Sequence, residues 1–482
     1  MKRVIGVVML LLAACTTPYY PAIDNPEINV TVTDRDIISW IDQRLVEEYY
    51  WLDEVAEVKG SFNRNVEWEG YLASALQQLT TNSDDSHYDQ QGRRLFYSYI
   101  REVSSTTSRA AAKEGYGIRL YNAVVSFNTG DYGFLVDYAF PDSPAMKAGV
   151  RRGDIVRTVN GSAINNDNYV TLFNSIQTNS IASLRLGLMR QVVGEGESAE
   201  YSVDLDKGLY GETPLLYCDV IDVEEIDMRL GYVVYTSFDR DYDDVLHAAL
   251  RSLAERGFDH LVLDLRNNIG GSVDSVVELV SGLLGQQYEM EVVCELRRNP
   301  RNQRSAAPTV CRLKNVGYSL DIDSISIICS ENTASAAELT IVGLRGLGIP
   351  VRLIGTQTEG KNCGMDVARR QIGSTMLEYA PITFMCVNGK GFGDYGDGLL
   401  PDEGMTVTED NILGKKDKYY PMPHSYWGDT DNDIALRVLV AALGGGSEQS
   451  TTRTTVDCRE LLRLAHDATL EREASALYHY VE

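Results

Sequence analysis

The sequence of 482 residues is poor in basic side chains. Its 44 Lys and Arg stand against 69 Asp and Glu, a net charge of −25 at pH 7. Without a broad basic surface to neutralise phosphates, nucleic acid is not an expected partner. Histidine is scarce, with six residues scattered along the chain. No HExxH and no CxxC pair occurs, so no metal site is legible, and no cofactor is expected. Beyond the first 15 residues, no apolar run is long enough to cross a bilayer. The remaining balance, 44% hydrophobic and 23% charged, is that of a folded soluble body. The length exceeds what one core supports, so two or three domains are expected.

The first residues, MKRVIGVVMLLLAAC, have a charged start at Lys2 and Arg3 and a short apolar stretch from Val4 to Leu12. That pattern is a signal peptide rather than a spanning helix. Leu12-Ala13-Ala14-Cys15 resembles the bacterial lipobox. The resemblance implies cleavage before Cys15 and its lipidation, and therefore a lipoprotein of the cell envelope. The outer membrane, on its periplasmic or surface face, is the expected location. Acyl chains would provide the membrane contact. Seven cysteines follow Cys15. The number is odd, so at least one is expected to stay free or pair elsewhere, and connectivity is not readable.

Residues 16–32 read as a tether with little periodicity. Residues 33–105 carry a helical apolar pattern, with Ile37, Ile38, Ile41 and Leu45 at helical spacing, and are expected to form an N-terminal helical domain. Residues 113–205 change to short strands with Gly-rich turns. Within them, SPAMKAGVRRGDIVRTVNG resembles a PDZ domain of the bacterial protease type. By that resemblance, Gly115, Tyr116, Gly117 and Ile118 form the loop that binds a peptide carboxylate. Backbone N–H groups of such a turn can form an anion nest, and the adjoining edge strand can pair with an extended peptide.

Residues 206–443 alternate strand and helix. His260 to Arg266 is a buried strand that feeds Asn267-Asn268-Ile269-Gly270-Gly271, and a helix follows from Val273. A Gly-Gly turn lets another group approach the backbone closely. It lacks both the GxGxxG spacing and the lysine of a phosphate loop, so a nucleotide site is not expected. The stretch from Ser324 to Lys361 reads as strand, polar turn, helix and strand. Ser335 stands where the turn becomes the helix, beside unpaired N–H groups and the positive end of the helix dipole. Lys361 lies just past the next strand, on the edge of a parallel sheet where ligands bind. Each alone is unremarkable, a capping serine and a loop lysine.

Together, DLRNNIGG, NTASAAE and GTQTEGK resemble, in order, the three motifs of the C-terminal processing peptidases. These are serine peptidases of the tail-specific protease group, family S41. The PDZ-like segment ahead of the motifs and the later Gly398-Leu399-Leu400-Pro401-Asp402 also fit. The resemblance implies a multidomain α+β protein. A ClpP/crotonase-like α/β peptidase core would stand beside the PDZ-like β domain and the N-terminal helical domain. It puts the nucleophile on Ser335 and the general base on Lys361. The oxyanion donors fall on the backbone of Ala336, Gly270 and Gly271. Protein or peptide substrates cut near exposed C-termini are implied as partners. Many members place a Gln a few positions after the lysine to orient the dyad. Here Met365 stands near that place, and Asn362 or Asp366 are the candidates to replace it. The alternative is an inactive lipoprotein of the same fold that captures peptide tails. Residues 444–482 are expected to be a flexible, then helical, tail.

Overall fold

The computed structural model describes residues 32–88, 92–103, 112–128, 131–191, 198–407, 420–421, 426–431, 433–445, 455–456, 460–463 and 478–480. The leader, Cys15 and the tether through residue 31 lie outside them, as does Cys458. Among the described residues no helix is long and apolar enough to cross a membrane.

The centre of the molecule is a sheet with strand order Leu215–Val223, Met228–Tyr235, His260–Asp264, Ile325–Cys329 and Val351–Gly355. The last four strands run parallel, and the first pairs antiparallel at the edge. Leu261, Val262 and Leu263 are all buried, as an interior parallel strand covered on both faces requires. Helices Asp243–Arg256, Val273–Leu284 and Ala336–Gly346 cover one face in a single large core. Helix Ile434–Leu443 covers the other, packing Leu436 and Leu439 on Val262, Ile328 and Ile354. Ser272 caps the second of these helices by accepting from the N–H groups of Asp274 and Ser275.

A second sheet runs in the order Thr309–Arg312, Val292–Arg298, Ile382–Asn388, Cys363–Ile372, Thr375–Ala380 and Tyr99–Glu102. Its last strand comes from the N-terminal region. Helices Val32–Glu48, Leu52–Val58 and Trp68–Leu76 share one core with Val367, Leu377, Tyr379 and Ile382 of this sheet. The N-terminal helices therefore do not stand as a body of their own. Their apolar stripe is real, and it closes on strands from far along the chain.

The β domain is a sheet in the order Ser198–Asp206, Ser183–Gln191, Ile155–Val159, Asp131–Ala139 and Ile118–Asn128, with helix Tyr169–Gln177 against it. Arg152 of this domain is buried, its guanidinium 4.0 Å above the Trp427 ring. Arg266 lies 5.7 Å from the same ring and pairs at 2.6 Å with both Asp264 and Asp433. The tail differs from the helical expectation in its described residues. Glu460–Arg463 is a strand paired with Ala123–Ser126, and Tyr478–Tyr480 is a strand parallel to Met365–Val367. Ala123–Ser126 lies on the outer strand of its sheet, where unpaired backbone groups are satisfied by an added strand, whereas Met365–Val367 lies on a strand that also pairs with Ile382–Asn388 and Thr375–Ala380.

Candidate active site

Ser335 is the N-cap of helix Ala336–Gly346 and has φ 60° and ψ −116°. A non-glycine residue in that region is held there by its surroundings, which is a feature of functional turns. The side chain is fully buried, and its Oγ makes no hydrogen bond among the described residues. A buried hydroxyl without a partner is costly, and a catalytic role is one reason for a fold to keep it.

The Gly-Gly turn is directly against this serine. Gly270 has φ +105°, and a Cβ there would lie 2.7 Å from Ser335 Cβ and 3.0 Å from Ala336 N. A Cβ on Gly271 would meet the Phe238 carbonyl oxygen at 2.2 Å. Both glycines are thus required by close backbone approach. The three expected oxyanion donors are not equivalent. The Gly270 N–H donates to Asn268 Oδ1 at 2.9 Å, so it is committed to shaping the turn. This corrects the sequence-based assignment of Gly270 as a donor. Ala336 N and Gly271 N remain, the first at the positive end of the helix. Gly270→Ala should lower Tm, because a Cβ at φ +105° crowds Ser335 and Ala336 N, and should in addition lower the kcat of the folded protein by roughly 100-fold, because a displaced nucleophile loses its alignment. Comparing kcat with Tm checks this; a Tm loss that accounts for the whole activity loss would refute it.

Lys361 is fully buried. Burial lowers the pKa of its amine, while Cys363, Asp85, Glu359 and Cys386 oppose that shift. Its Nζ lies 4.8 Å from the centroid of the Tyr97 ring. The Tyr97 hydroxyl in turn donates to Glu359 at 2.7 Å.

One carboxylate ties the serine to the lysine loop. Glu338, fully buried, accepts through Oε2 from the N–H groups of Ser335 (2.8 Å) and Lys361 (2.9 Å). Through Oε1 it accepts from Gly360 N (2.8 Å) and Thr358 Oγ1 (2.6 Å). Burial pushes its carboxyl up to about 7, and the four donors work against that rise. The sequence suggested only a helix-dipole partner here. The lysine loop is further clamped from below. A Cβ on Gly360 would meet Gly396 O at 2.2 Å, and the N–H of Leu399 donates to Thr358 Oγ1 at 2.7 Å.

Both candidates for the missing glutamine have hydrogen-bond partners away from the lysine. Asp366 is committed to Arg298 and to Thr383 Oγ1. Asn362 donates to Gly393 O at 3.1 Å. Met365 is buried in the core shared with the N-terminal helices. Besides Cys363, Glu359 and Cys386, the groups around the amine include Asp85 and Tyr97 of the N-terminal region. Asp85 is fully buried and accepts from Tyr49 Oη (2.7 Å), Ser98 N (2.8 Å) and Ser98 Oγ (2.7 Å). Burial raises its carboxyl to about 6; those hydrogen bonds and the Lys361 charge limit the rise. Neither Asp85 nor Tyr97 had been singled out. Their only sequence signal was indirect, the want of an orienting glutamine after the lysine.

In the β domain, the Gly115-to-Ile118 loop is partly filled. Asn179 Oδ1 accepts from Tyr116 N at 2.9 Å, and a Cβ on Gly115 would meet the Asn179 side chain at 2.6 Å. The Tyr116 N–H is therefore withdrawn from the expected carboxylate nest. Gly117, with φ +70°, makes the turn, and Ile118 begins the adjoining strand.

Residues 229–403 match the family model described as Peptidase family S41. A Staphylococcus aureus protein named "Probable CtpA-like serine protease" is 24% identical over 325 residues, covering 66% of this chain and 59% of its own length. A Staphylococcus epidermidis protein of the same name is 22% identical over 311 residues, covering 63% of this chain and 56% of its own. The chain thus spans less than two thirds of the curated relatives it matches. The crystal structure titled "Putative S41 protease" from Bacteroides fragilis NCTC 9343 shares the fold. Its TM-score is 0.64 at 21% identity, over 84% of this chain and 97% of that one.

Proposed function

We propose, from the match of residues 229–403 to the model of peptidase family S41, that the chain is a serine endopeptidase of the C-terminal processing type. Ser335 attacks the scissile carbonyl, and Lys361 takes its proton. Ala336 N and Gly271 N receive the oxyanion. The observation that carries this reading is the shared carboxylate of Glu338, which holds the N–H of Ser335 and that of Lys361 on one oxygen. Such a clamp fixes the two residues relative to each other, which is what a nucleophile and its base need. A serine hydroxyl is a weak nucleophile without a base, and a lysine serves only when neutral. The burial of Lys361 favours that neutral form. Ser335 Oγ makes no hydrogen bond among the described residues, so proton transfer begins once substrate aligns the pair.

The substrates are exported proteins or peptides, captured by their C-termini on the PDZ-like domain over residues 113–205. Gly117 and Ile118 carry the anion-binding part of that loop, because Tyr116 N is held by Asn179. Cys15 is the lipid-bearing residue that keeps the enzyme at the envelope.

The test is proteolysis of an unstructured protein by the chain lacking residues 1–15, with fragment termini read by mass spectrometry. Cleavage that starts near the C-terminus and vanishes in Ser335→Ala supports the reading. Cleavage that persists in Ser335→Ala overturns the nucleophile. Absence of cleavage by the folded wild-type chain, with retained binding of C-terminal peptides, would establish the inactive capture protein instead.

A further inference from the structure

We propose that Cys294 and Cys311 are a cross-strand disulfide site, two thiols placed to be oxidised to one bond between strands Val292–Arg298 and Thr309–Arg312. The two cysteines stand directly opposite each other in the antiparallel register. Opposed residues of an antiparallel pair point to the same face of the sheet. Their Cα atoms lie roughly 4.5–5.5 Å apart by ladder geometry. A disulfide spans about 4.4–6.8 Å between Cα atoms, so no backbone movement is required.

The surroundings of the pair favour reaction with each other and with a small oxidant. Cys294 is buried in the main core, and Cys311 is half-buried on the outermost strand of the second sheet. Hydrogen bonding from the Cys294 thiol pulls Cys311 below its ordinary value, and Cys294 is pushed up. Cys311, the more accessible sulfur, is thus the readier thiolate. The remaining described thiols are otherwise engaged or misplaced. Cys329 donates to the Thr356 carbonyl at 3.1 Å, and Cys363 donates to the Asp84 carbonyl at 3.1 Å. Cys386 lies opposite Leu296, two positions along from Cys294, a diagonal of about 7–8 Å that exceeds disulfide reach.

The chemistry is thiol–disulfide exchange with a low-molecular-weight disulfide such as oxidised glutathione. Cys311 thiolate attacks one sulfur of the oxidant, forming a mixed disulfide and releasing one thiol. Cys294 gives up its proton and attacks the Cys311 sulfur, releasing the second thiol. Two electrons pass from the cysteine pair to the oxidant. An exported chain would meet such conditions, although the test does not depend on where the protein resides.

The experiment uses the chain lacking residues 1–15, fully reduced, then incubated with oxidised glutathione and alkylated under denaturing conditions. Trypsin places Cys294 in the peptide 267–297 and Cys311 in the peptide 305–312. The expected result is a single linked pair of these peptides, two fewer alkylatable thiols, and reversal by dithiothreitol. The link should persist in Cys386→Ser and be absent in Cys311→Ser. Oxidised wild-type protein should also resist urea to a higher midpoint than the reduced form, because the bond closes a loop in the unfolded chain. A Cys294–Cys386 link, Cys311 left as a stable glutathione adduct, or both thiols left free would each overturn the proposal.

Discussion

Lys361→Met will leave a folded protein that no longer cleaves, and it will melt at a higher temperature than the wild type. Ser335→Ala should lower kcat by roughly 10⁶-fold, and Lys361→Met by a similar factor, because residues that act as a unit fail together. The double variant should therefore be no worse than either alone. The stability gain follows from the sign of the lysine shift. Burial depresses the amine in the folded state below its ordinary 10.5. Unfolding then takes up a proton at any pH between the two values, and stability falls as pH drops through that window. Methionine has a similar shape and nothing to protonate, so the loss disappears. The same depression puts the acidic limb of wild-type kcat/KM below 10.5, with activity rising as pH rises through the folded-state value. Thermal melts at pH 7 and a pH–rate profile check both parts. A Lys361→Met enzyme with more than about a tenth of wild-type kcat would remove the lysine from the base role, since general-base catalysis contributes at least ~10²-fold.

Glu338→Ala should be the most damaging substitution to the site as a structure. It strips the acceptor from four buried donors, the N–H groups of Ser335, Gly360 and Lys361 and the Thr358 hydroxyl. Each orphaned buried donor costs roughly 1–3 kcal/mol, moderated where water enters the space left behind. A loss of about 3–5 kcal/mol is expected, with kcat below detection. Glu338→Gln keeps the volume but turns an amide NH₂ toward two of those donors. It should recover part of the stability and little of the activity. Urea unfolding of the two variants, alongside kcat, separates the roles. Full activity in Glu338→Gln would show that the carboxylate charge is not needed to hold the serine and the lysine loop together.

The residues that do the proposed chemistry were the easiest part to read from the chain. Ser335, Lys361 and the Gly270-Gly271 turn each stand at a strand–helix or strand–loop junction, and local sequence dictates such junctions. The central strands were legible for the same reason, since runs such as Leu261-Val262-Leu263 leave no polar face. What resisted reading was set by tertiary contact. Glu338 looked like an ordinary first-turn acid, because nothing local reveals that Gly360 and Lys361 return to it. Asp85 and Tyr97 lie in a stretch without periodicity and reach the lysine only through folding. The N-terminal helices were visible by their 3.6-residue stripe. That stripe could not show which partner covers it. The described strands of the tail depend on partner strands supplied elsewhere, and such pairing leaves little local signature.

The shared core of the N-terminal helices and the second sheet also dictates a timetable. Tyr99 hydrogen-bonds to Glu378, 279 residues later in the chain, and Tyr50 N donates to Ile382 O. At about 5–20 residues per second, a ribosome needs tens of seconds to cover that interval. Until then the first helices can pack only on one another, without the sheet that completes their core. Asp85 and Tyr97 arrive early, and Lys361 arrives late. The surroundings that keep the lysine buried are completed only once the second sheet has been synthesised. On the proposed assignment, a nascent chain therefore carries the serine turn before the surroundings of its proposed base are complete.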